Sequence, residues 1–197
     1  MKQIYLLLKR TFDIIFAALG LVILAPIYAI ISILLKLQNN GPVFFKQERI
    51  GYQGKPFIIY KFRTMGSQIE EKGPQLIAKC TPEQASPLER FLRQQHLDEL
   101  PQLWNVLRGD MSFVGPRPER KYFIDQIMAN DSRYACLYEM RPGLTSEATL
   151  YNGYTDTMEK MLRRLQMDLD YLDKRSLWLD LQIVAKTGLS LISGKKI

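Results

Sequence analysis

The chain has 197 residues, 47% hydrophobic and 24% charged, with 27 Lys and Arg against 20 Asp and Glu for a net charge of +7. This composition can build a core and excludes a disordered chain, and the length suits one domain plus an appendage. The basic excess points to nucleic acid, an anionic membrane face or phosphorylated small molecules. A single histidine, His96, argues against a multi-histidine metal site.

The first element is apolar. From Ile14 to Leu35 nothing is charged, a run of 22 residues, which meets the length of a membrane helix. Pro26 lies near its middle, where it removes a backbone donor and clashes with the preceding turn. Lys2, Lys9 and Arg10 precede the run and Lys36 and Lys46 follow it, so the positive-inside rule selects no orientation. A bend at Ala25-Pro26 that returns the chain to its starting side puts all these charges on the cytoplasmic face. A kinked spanning helix is the alternative. A cleaved signal peptide does not fit, because the stretch is too long and no small-residue cleavage site follows before Gly41. A break within lipid needs its freed carbonyls satisfied, so a local backbone adjustment is expected near Leu21 to Val22.

Gly41-Pro42 makes a turn. "VFFKQERIG" and "KPFIIYKFRTM" then flank "YQG" and predict a β-hairpin. In its second strand Phe57, Ile59, Lys61 and Arg63 share a face. Lys61 and Arg63 therefore project together, as a basic pair or as charge protecting a solvated edge. Residues 66–87 predict a loop with one short helix. Ser86, Pro87 and Glu89 form a capping-box start for a further helix. "MSFVGPRPERKYF" reads as a Pro-punctuated loop leading into a helix, and "MRPGLTSEATLYNGYTD" as an irregular loop. The C-terminal stretch predicts two helices broken near Asp173 to Ser176. The last of them, with Trp178 near its start, either packs in the core or lies on a membrane surface. Cys80 and Cys136 read as free thiols in a reducing compartment, with a single disulfide as the alternative.

Candidate chemistry centres on "HLDELPQLWNVLRGD", where Asp98 and Glu99 are adjacent just before an apolar helix. Helical neighbours point about 100° apart, so the two do not face each other as a glycosidase pair does. At a helix start both feel the positive end of the dipole, which favours ionisation. That suits a carboxylate nucleophile or a ligand of Mg²⁺, an ion commonly held by one or two carboxylates plus substrate phosphates. Taken alone, such a pair is more often a set of first-turn acids stabilising a helix. Cations complement them. Lys61 and Arg63 share a strand face, Arg117 is fixed between the prolines of "GPRP", and Arg141 sits in "MRPG". Guanidinium binds phosphate in a planar, bidentate way. Four cations and one acid pair together point to a diphosphate site.

The strings "GPVFFKQERIGYQGKPFIIYKFRTM", "LDELPQLWNVLRGDMSFVGPRP", "RPGLT" and "DLDYLDKRSLWLDLQI", in that order, resemble the bacterial sugar transferase family. These are the monotopic phosphoglycosyl transferases that start glycan assembly on polyprenol phosphate. The likeness runs from "KRTFD" at Lys9 to the C-terminal "SGK", and the chain resembles the family's minimal catalytic form. The resemblance implies a mostly helical α+β fold. Residues 1–38 are expected to form a re-entrant membrane anchor broken at Pro26. Residues 39–197 are expected to form a compact cytoplasmic catalytic domain with a small β-hairpin and amphipathic surface helices.

The resemblance also implies a reaction. A sugar 1-phosphate passes from a UDP-sugar to undecaprenyl phosphate, UMP leaves, and a phosphosugar-aspartyl intermediate forms on the way. This is the first membrane step of glycan assembly. Asp98 matches the nucleophile and Glu99 its partner, with both at the Mg²⁺ site. Lys61, Arg63 and Arg117 match active-site motifs, Arg141 is taken with them as substrate-binding, and Asp168 and Tyr171 match a further motif. Two departures stand out. Many members carry Ser-Pro where this chain has Ala25-Pro26, and larger members usually continue "GWAQV" where this chain reads "GLTSEATLYNGY", a region that bears on sugar choice. The expected setting is the bacterial inner membrane, with membrane lipid as a partner and a homodimer as a further option. An inactive membrane scaffold for glycan assembly is the rival reading. No nucleic-acid partner is expected, since no recognised motif accompanies the charge.

Overall fold

The computed structural model describes residues 2–38, 41–64, 85–153 and 155–193. Helix α1 (Lys2–Ile23) and helix α2 (Ala25–Gln38) meet at Leu24 with a bend of 58°. The break therefore falls two residues ahead of Pro26, which is the second residue of α2. Proline lacks the N–H for the preceding turn and pushes the residue before it away from helix, so the disruption appears on its N-terminal side. The ladder is kept on both flanks: Leu24 N donates to Gly20 O and Tyr28 N to Leu24 O, each at 2.9 Å. Among the described residues no single helix is long and apolar enough to cross a membrane, and α1 and α2 pass that test only as a bent pair.

The hairpin forms as the alternation predicts. Strand β1 (Phe44–Ile50) pairs antiparallel with β2 (Pro56–Phe62), with Phe45 opposite Lys61. Its tip turns through Gln53 and Gly54, both at positive φ. The end of β2 is covered on both faces. Ile59 packs with Ala17 of α1 and with Val106 and Met111. Phe62 packs with Ile31 and Leu35 of α2 and with Leu92. Lys61 thus emerges from a largely covered strand and not from a solvated edge.

Helix α3 (Pro87–Gln94) starts on the expected capping box: Ser86 Oγ accepts from Glu89 N at 3.2 Å, and Glu89 Oε2 accepts from Ser86 N at 2.8 Å. The chain then reverses at His96, whose φ of 53° is left-handed, a region where His is more tolerated than bulky or β-branched residues. A 3₁₀ turn (Leu97–Glu99) and helix α4 (Gln102–Arg108) follow, and Gly109 at φ 96° closes α4.

The two loops expected to be irregular contain a second sheet. Strand β3 (Ser112–Val114) and strand β4 (Gly143–Thr145) pair in parallel. A Cβ at Gly143 would lie 2.2 Å from Gly115 N, so the backbones cross where neither residue has a side chain. Helices α5 (Lys121–Asn130), α6 (Glu147–Asn152), α7 (Met158–Lys174) and α8 (Leu177–Ile192) complete the fold, with a 3₁₀ segment at Ser132–Glu139. The largest core cluster gathers Val114, Ile124, Ile127, Leu137, Leu165 and Ile183. Helix α8 buries Ile183 in that core and leaves Trp178, Leu181 and Leu189 exposed. Most of residues 66–87, and Cys80, lie outside the described residues. Cys136 is an exposed free thiol.

Polar contacts join α1 to this body. Lys9 Nζ reaches Asp180 Oδ2 at 2.6 Å. Arg10 donates to Val106 O and Leu107 O at 2.6 and 2.8 Å, at the electronegative end of α4. Asp13 Oδ1 accepts from Ser112 Oγ and Phe113 N, both at 3.1 Å.

Candidate active site

The acid pair occupies the 3₁₀ turn between His96 and α4. Three anchors fix that turn. Asn105, fully buried in α4, accepts from Tyr60 N at 3.1 Å and donates to Ile58 O at 2.7 Å, which sets α4 against β2. Arg10 holds the far end of α4. Tyr28 of α2 donates its hydroxyl to the Leu100 carbonyl, directly beyond Glu99.

The two acids have different surroundings. Glu99 Oε1 receives Lys61 Nζ at 2.5 Å. Burial pushes the Glu99 carboxyl up, but Lys61 and Arg117 outweigh it and hold it at about 2. Asp98 is buried and makes no hydrogen bond among the described residues. Burial is the main influence on it, Lys61 opposes and the Glu99 charge assists, so its carboxyl is pushed up to about 6. The helix start was expected to favour ionisation of both acids. At Asp98 loss of water wins, while Glu99 is held ionised by its cations.

Arg117 follows β3 on a loop fixed by hydrogen bonds from Arg49 Nη1 to Pro118 O (3.1 Å) and from Ile50 N to Glu119 O (3.1 Å). Glu119 faces three guanidinium groups: Arg164 Nη1 at 3.3 Å, Arg49 Nη1 at 3.6 Å and Arg117 Nε at 4.0 Å. Beyond it, buried Asp168 on α7 is pushed up to about 7 by burial, with Arg164 opposing and Glu119 assisting. A cavity of about 20 Å³, room for about one water, is lined by Arg117, Glu119, Tyr134, Arg164 and Asp168.

Of the sequence candidates, Asp98, Glu99, Lys61 and Arg117 come together, and Asp168 stands behind Arg117 across Glu119. Arg63 and Arg141 are placed elsewhere. The Arg63 guanidinium covers Gly41, leaving no space for a side chain there. Arg141 Nε donates to Gly109 O at 2.8 Å, and its guanidinium lies 5.0 Å from the centre of the Tyr52 ring. Tyr171 donates to Asp180 Oδ1, on the contact between α1 and α8. Sequence reasoning missed Glu119, Arg49, Arg164 and Asn105. Glu119 carried one signal, its place directly after the rigid "PRP".

Among the described residues, no group of three or more His, Cys, Asp or Glu side chains gathers as a metal cluster. The donors at hand are Asp98 and the Glu99 oxygen that Lys61 does not hold. That set fits an ion such as Mg²⁺, which takes one or two carboxylates and completes its shell with water and substrate phosphates.

Residues 4–194 match the family model described as bacterial sugar transferase. The chain is 43% identical over 188 residues to the UDP-glucose:undecaprenyl-phosphate glucose-1-phosphate transferase of Caulobacter vibrioides, covering 94% of this chain and 70% of that protein. It is 36% identical over 193 residues to the UDP-N-acetylgalactosamine-undecaprenyl-phosphate N-acetylgalactosaminephosphotransferase of Aeromonas hydrophila, covering 98% and 45%. It is 39% identical over 183 residues to the UDP-glucose:undecaprenyl-phosphate glucose-1-phosphate transferase of Escherichia coli, covering 92% and 39%. The chain thus spans less than half the length of the last two.

Proposed function

The chain belongs to the bacterial sugar transferase family, a phosphoglycosyl transferase by that kinship, and we propose that it moves a sugar 1-phosphate from a UDP-sugar to undecaprenyl phosphate through a covalent bond to Asp98. The observation that carries this reading is the contrast within the acid pair. Glu99 is committed to Lys61, whereas Asp98 is buried without a hydrogen-bond partner among the described residues. At about 6 its carboxyl is more basic than an ordinary carboxylate yet mostly ionised near neutral pH, the condition a carboxylate nucleophile needs. An inactive scaffold has no use for a carboxylate kept in that state.

In the reaction, an Asp98 oxygen bonds to the β-phosphorus of the donor as the bond from that phosphorus to the bridging oxygen breaks, and the electron pair leaves with UMP. A phosphate oxygen of undecaprenyl phosphate then attacks the same phosphorus and releases the Asp98 carboxylate. Glu99 holds Lys61 beside the phosphates, and Arg117, backed by Glu119, faces the same place. Mg²⁺ bound through Asp98, Glu99 and the diphosphate would neutralise phosphate charge. Asp168 lies beside Arg164 and Glu119 and lines the same small cavity as Arg117, in keeping with a place at the substrate site.

The exposed apolar side chains of the bent arm support a lipid acceptor. Lys9, Arg10 and Asp13 are tied to the catalytic body. Beyond them Phe16, Leu19, Val22, Ile23, Ile30 and Ile33 are exposed. The 14 residues of α2 rise about 21 Å, short of the ~30 Å hydrocarbon core, which suits an arm that enters and returns on the cytoplasmic face of the inner membrane.

The test is incubation with a UDP-sugar, Mg²⁺ and undecaprenyl phosphate. UMP release by the wild type and its loss in Asp98→Asn are expected, and undiminished release by Asp98→Asn would remove the nucleophile assignment. An impermeant thiol reagent should label an N-terminal cysteine from the cytoplasmic side. Periplasmic labelling would reject the re-entrant arm.

A further inference from the structure

Glu119 carries one negative charge among three guanidinium groups and cannot neutralise them. Arg164 Nη1 and Arg117 Nε approach the same oxygen, Oε1, at 3.3 and 4.0 Å, while Arg49 Nη1 approaches Oε2 at 3.6 Å. Of the three, Arg164 alone is within hydrogen-bond distance. Asp168, pushed up to about 7, adds less than a full negative charge near neutral pH. The cluster therefore holds surplus positive charge. The side chains of Arg49 and Arg164 are 14% and 11% exposed, against 31% for Arg117. An anion arriving from outside meets that surplus at Arg117.

The Arg164 guanidinium is pinned on two sides. Arg164 rises from α7, and its Nη2 donates to Gly153 O, at the end of α6, at 3.1 Å. Its planar fork thus spans Glu119 and a backbone carbonyl. Arg117 has no such second anchor among the described contacts of its guanidinium, and it is the more exposed of the two. A free Glu119 Oε1 would draw the Arg117 guanidinium in, because a guanidinium hydrogen-bonded to a carboxylate is among the stronger polar contacts. Arg164 stands in that place. Burial and the charge of Arg117 both work against the Arg164 charge, so the two guanidinium groups repel each other beside the oxygen they share.

We propose that Arg164 is a positioning residue: it occupies Glu119 Oε1 and so leaves the Arg117 guanidinium free to bind the diphosphate of the sugar donor. The inference rests on the reading that Arg117 faces the phosphates. Without Arg164, Arg117 would close onto Glu119, and the donor would have to break that ion pair before it could bind. The cost would fall on donor binding, in the ground state and the reacting state alike, and not on the chemical step.

The experiment compares wild type, Arg117→Met, Arg164→Gln and the double variant Arg164→Gln/Glu119→Gln, each as the full chain. UMP release is measured against UDP-sugar concentration, with Mg²⁺ and undecaprenyl phosphate held constant. For Arg164→Gln the KM for UDP-sugar should rise about 10-fold, with a smaller change in kcat. In the double variant nothing draws Arg117 inward, and KM should return toward the wild-type value. An unchanged KM in Arg164→Gln would overturn the inference. So would a KM in the double variant as high as in Arg164→Gln, which marks a structural role. If Arg164→Gln does not fold, the double variant decides, since it removes both charges of the pair. A KM near wild type then supports the inference, and a raised KM or a second failure to fold overturns it. If Arg117→Met leaves KM unchanged, the reading of Arg117 at the phosphates fails and takes this inference with it. Failure of the Arg164 arm alone leaves that reading intact.

Discussion

Asp168→Asn should flatten the pH dependence of stability. Asp168 is 3% exposed, and burial lifts its carboxyl from the ordinary 3.8 to about 7. An acid with a raised folded-state value binds its proton more tightly when folded. Its contribution is fully present below the unfolded value and is lost as pH rises through the folded one, here between about 4 and 7. Over that whole window the loss is on the order of 4 kcal/mol. Between pH 5 and pH 8 it is roughly 3 kcal/mol, or about 6–12 °C in Tm for a chain of this size. Asparagine keeps the shape and cannot ionise. The Tm of Asp168→Asn minus that of wild type should therefore grow by that amount from pH 5 to pH 8, measured by thermal unfolding in one detergent. A difference that stays constant across this range would refute the reasoning, because it would mean that Asp168 is already ionised in the folded protein at pH 5.

Other perturbations follow from the same geometry. Asn105→Leu leaves Tyr60 N and Ile58 O without their side-chain partners and should destabilise the protein by about 2–4 kcal/mol, read as a lower Tm together with loss of UMP release. Glu119→Gln removes the negative charge shared by Arg49, Arg117 and Arg164. A loss of about 3 kcal/mol is expected in chemical unfolding, and an unchanged midpoint would show that water already screens those cations. Gly143→Ala drives a Cβ to 2.2 Å from Gly115 N. It should yield little folded protein by size-exclusion chromatography, whereas Gly188→Ala, with open space around it, should behave as wild type.

What could be read from sequence was local. The hairpin announced itself by alternation, α3 by its capping box, and the acid pair by its position at a helix start. Each depends on residues within a few positions of one another. The network behind Arg117 draws on residues 49, 119, 164 and 168, and no spacing links them. The pairing of β3 with β4 involves three residues on each side, too few to carry a period. Arg141 lay in a rigid setting much like that of Arg117, yet the fold turned it onto Gly109 and Tyr52. Rigidity next to proline fixes a direction without revealing which one. Pro26 correctly marked a broken helix, but its steric effect acts on the preceding residues, so the break sits at Leu24.

The hydroxyl of Tyr28 on the Leu100 carbonyl couples α2 to the turn that carries Asp98, and in the proposed reaction it sets an altitude. A polyprenyl acceptor explores the bilayer laterally, at a depth given by its headgroup. In the proposed reaction, a reacting carboxylate joined to a re-entrant membrane arm needs no vertical search, and encounter becomes a problem in two dimensions. The arm then acts as a gauge block. Inserting one residue between Leu24 and Tyr28 would shift Tyr28 by about 1.5 Å and swing it by about 100°, taking one of the three anchors off the turn that carries Asp98.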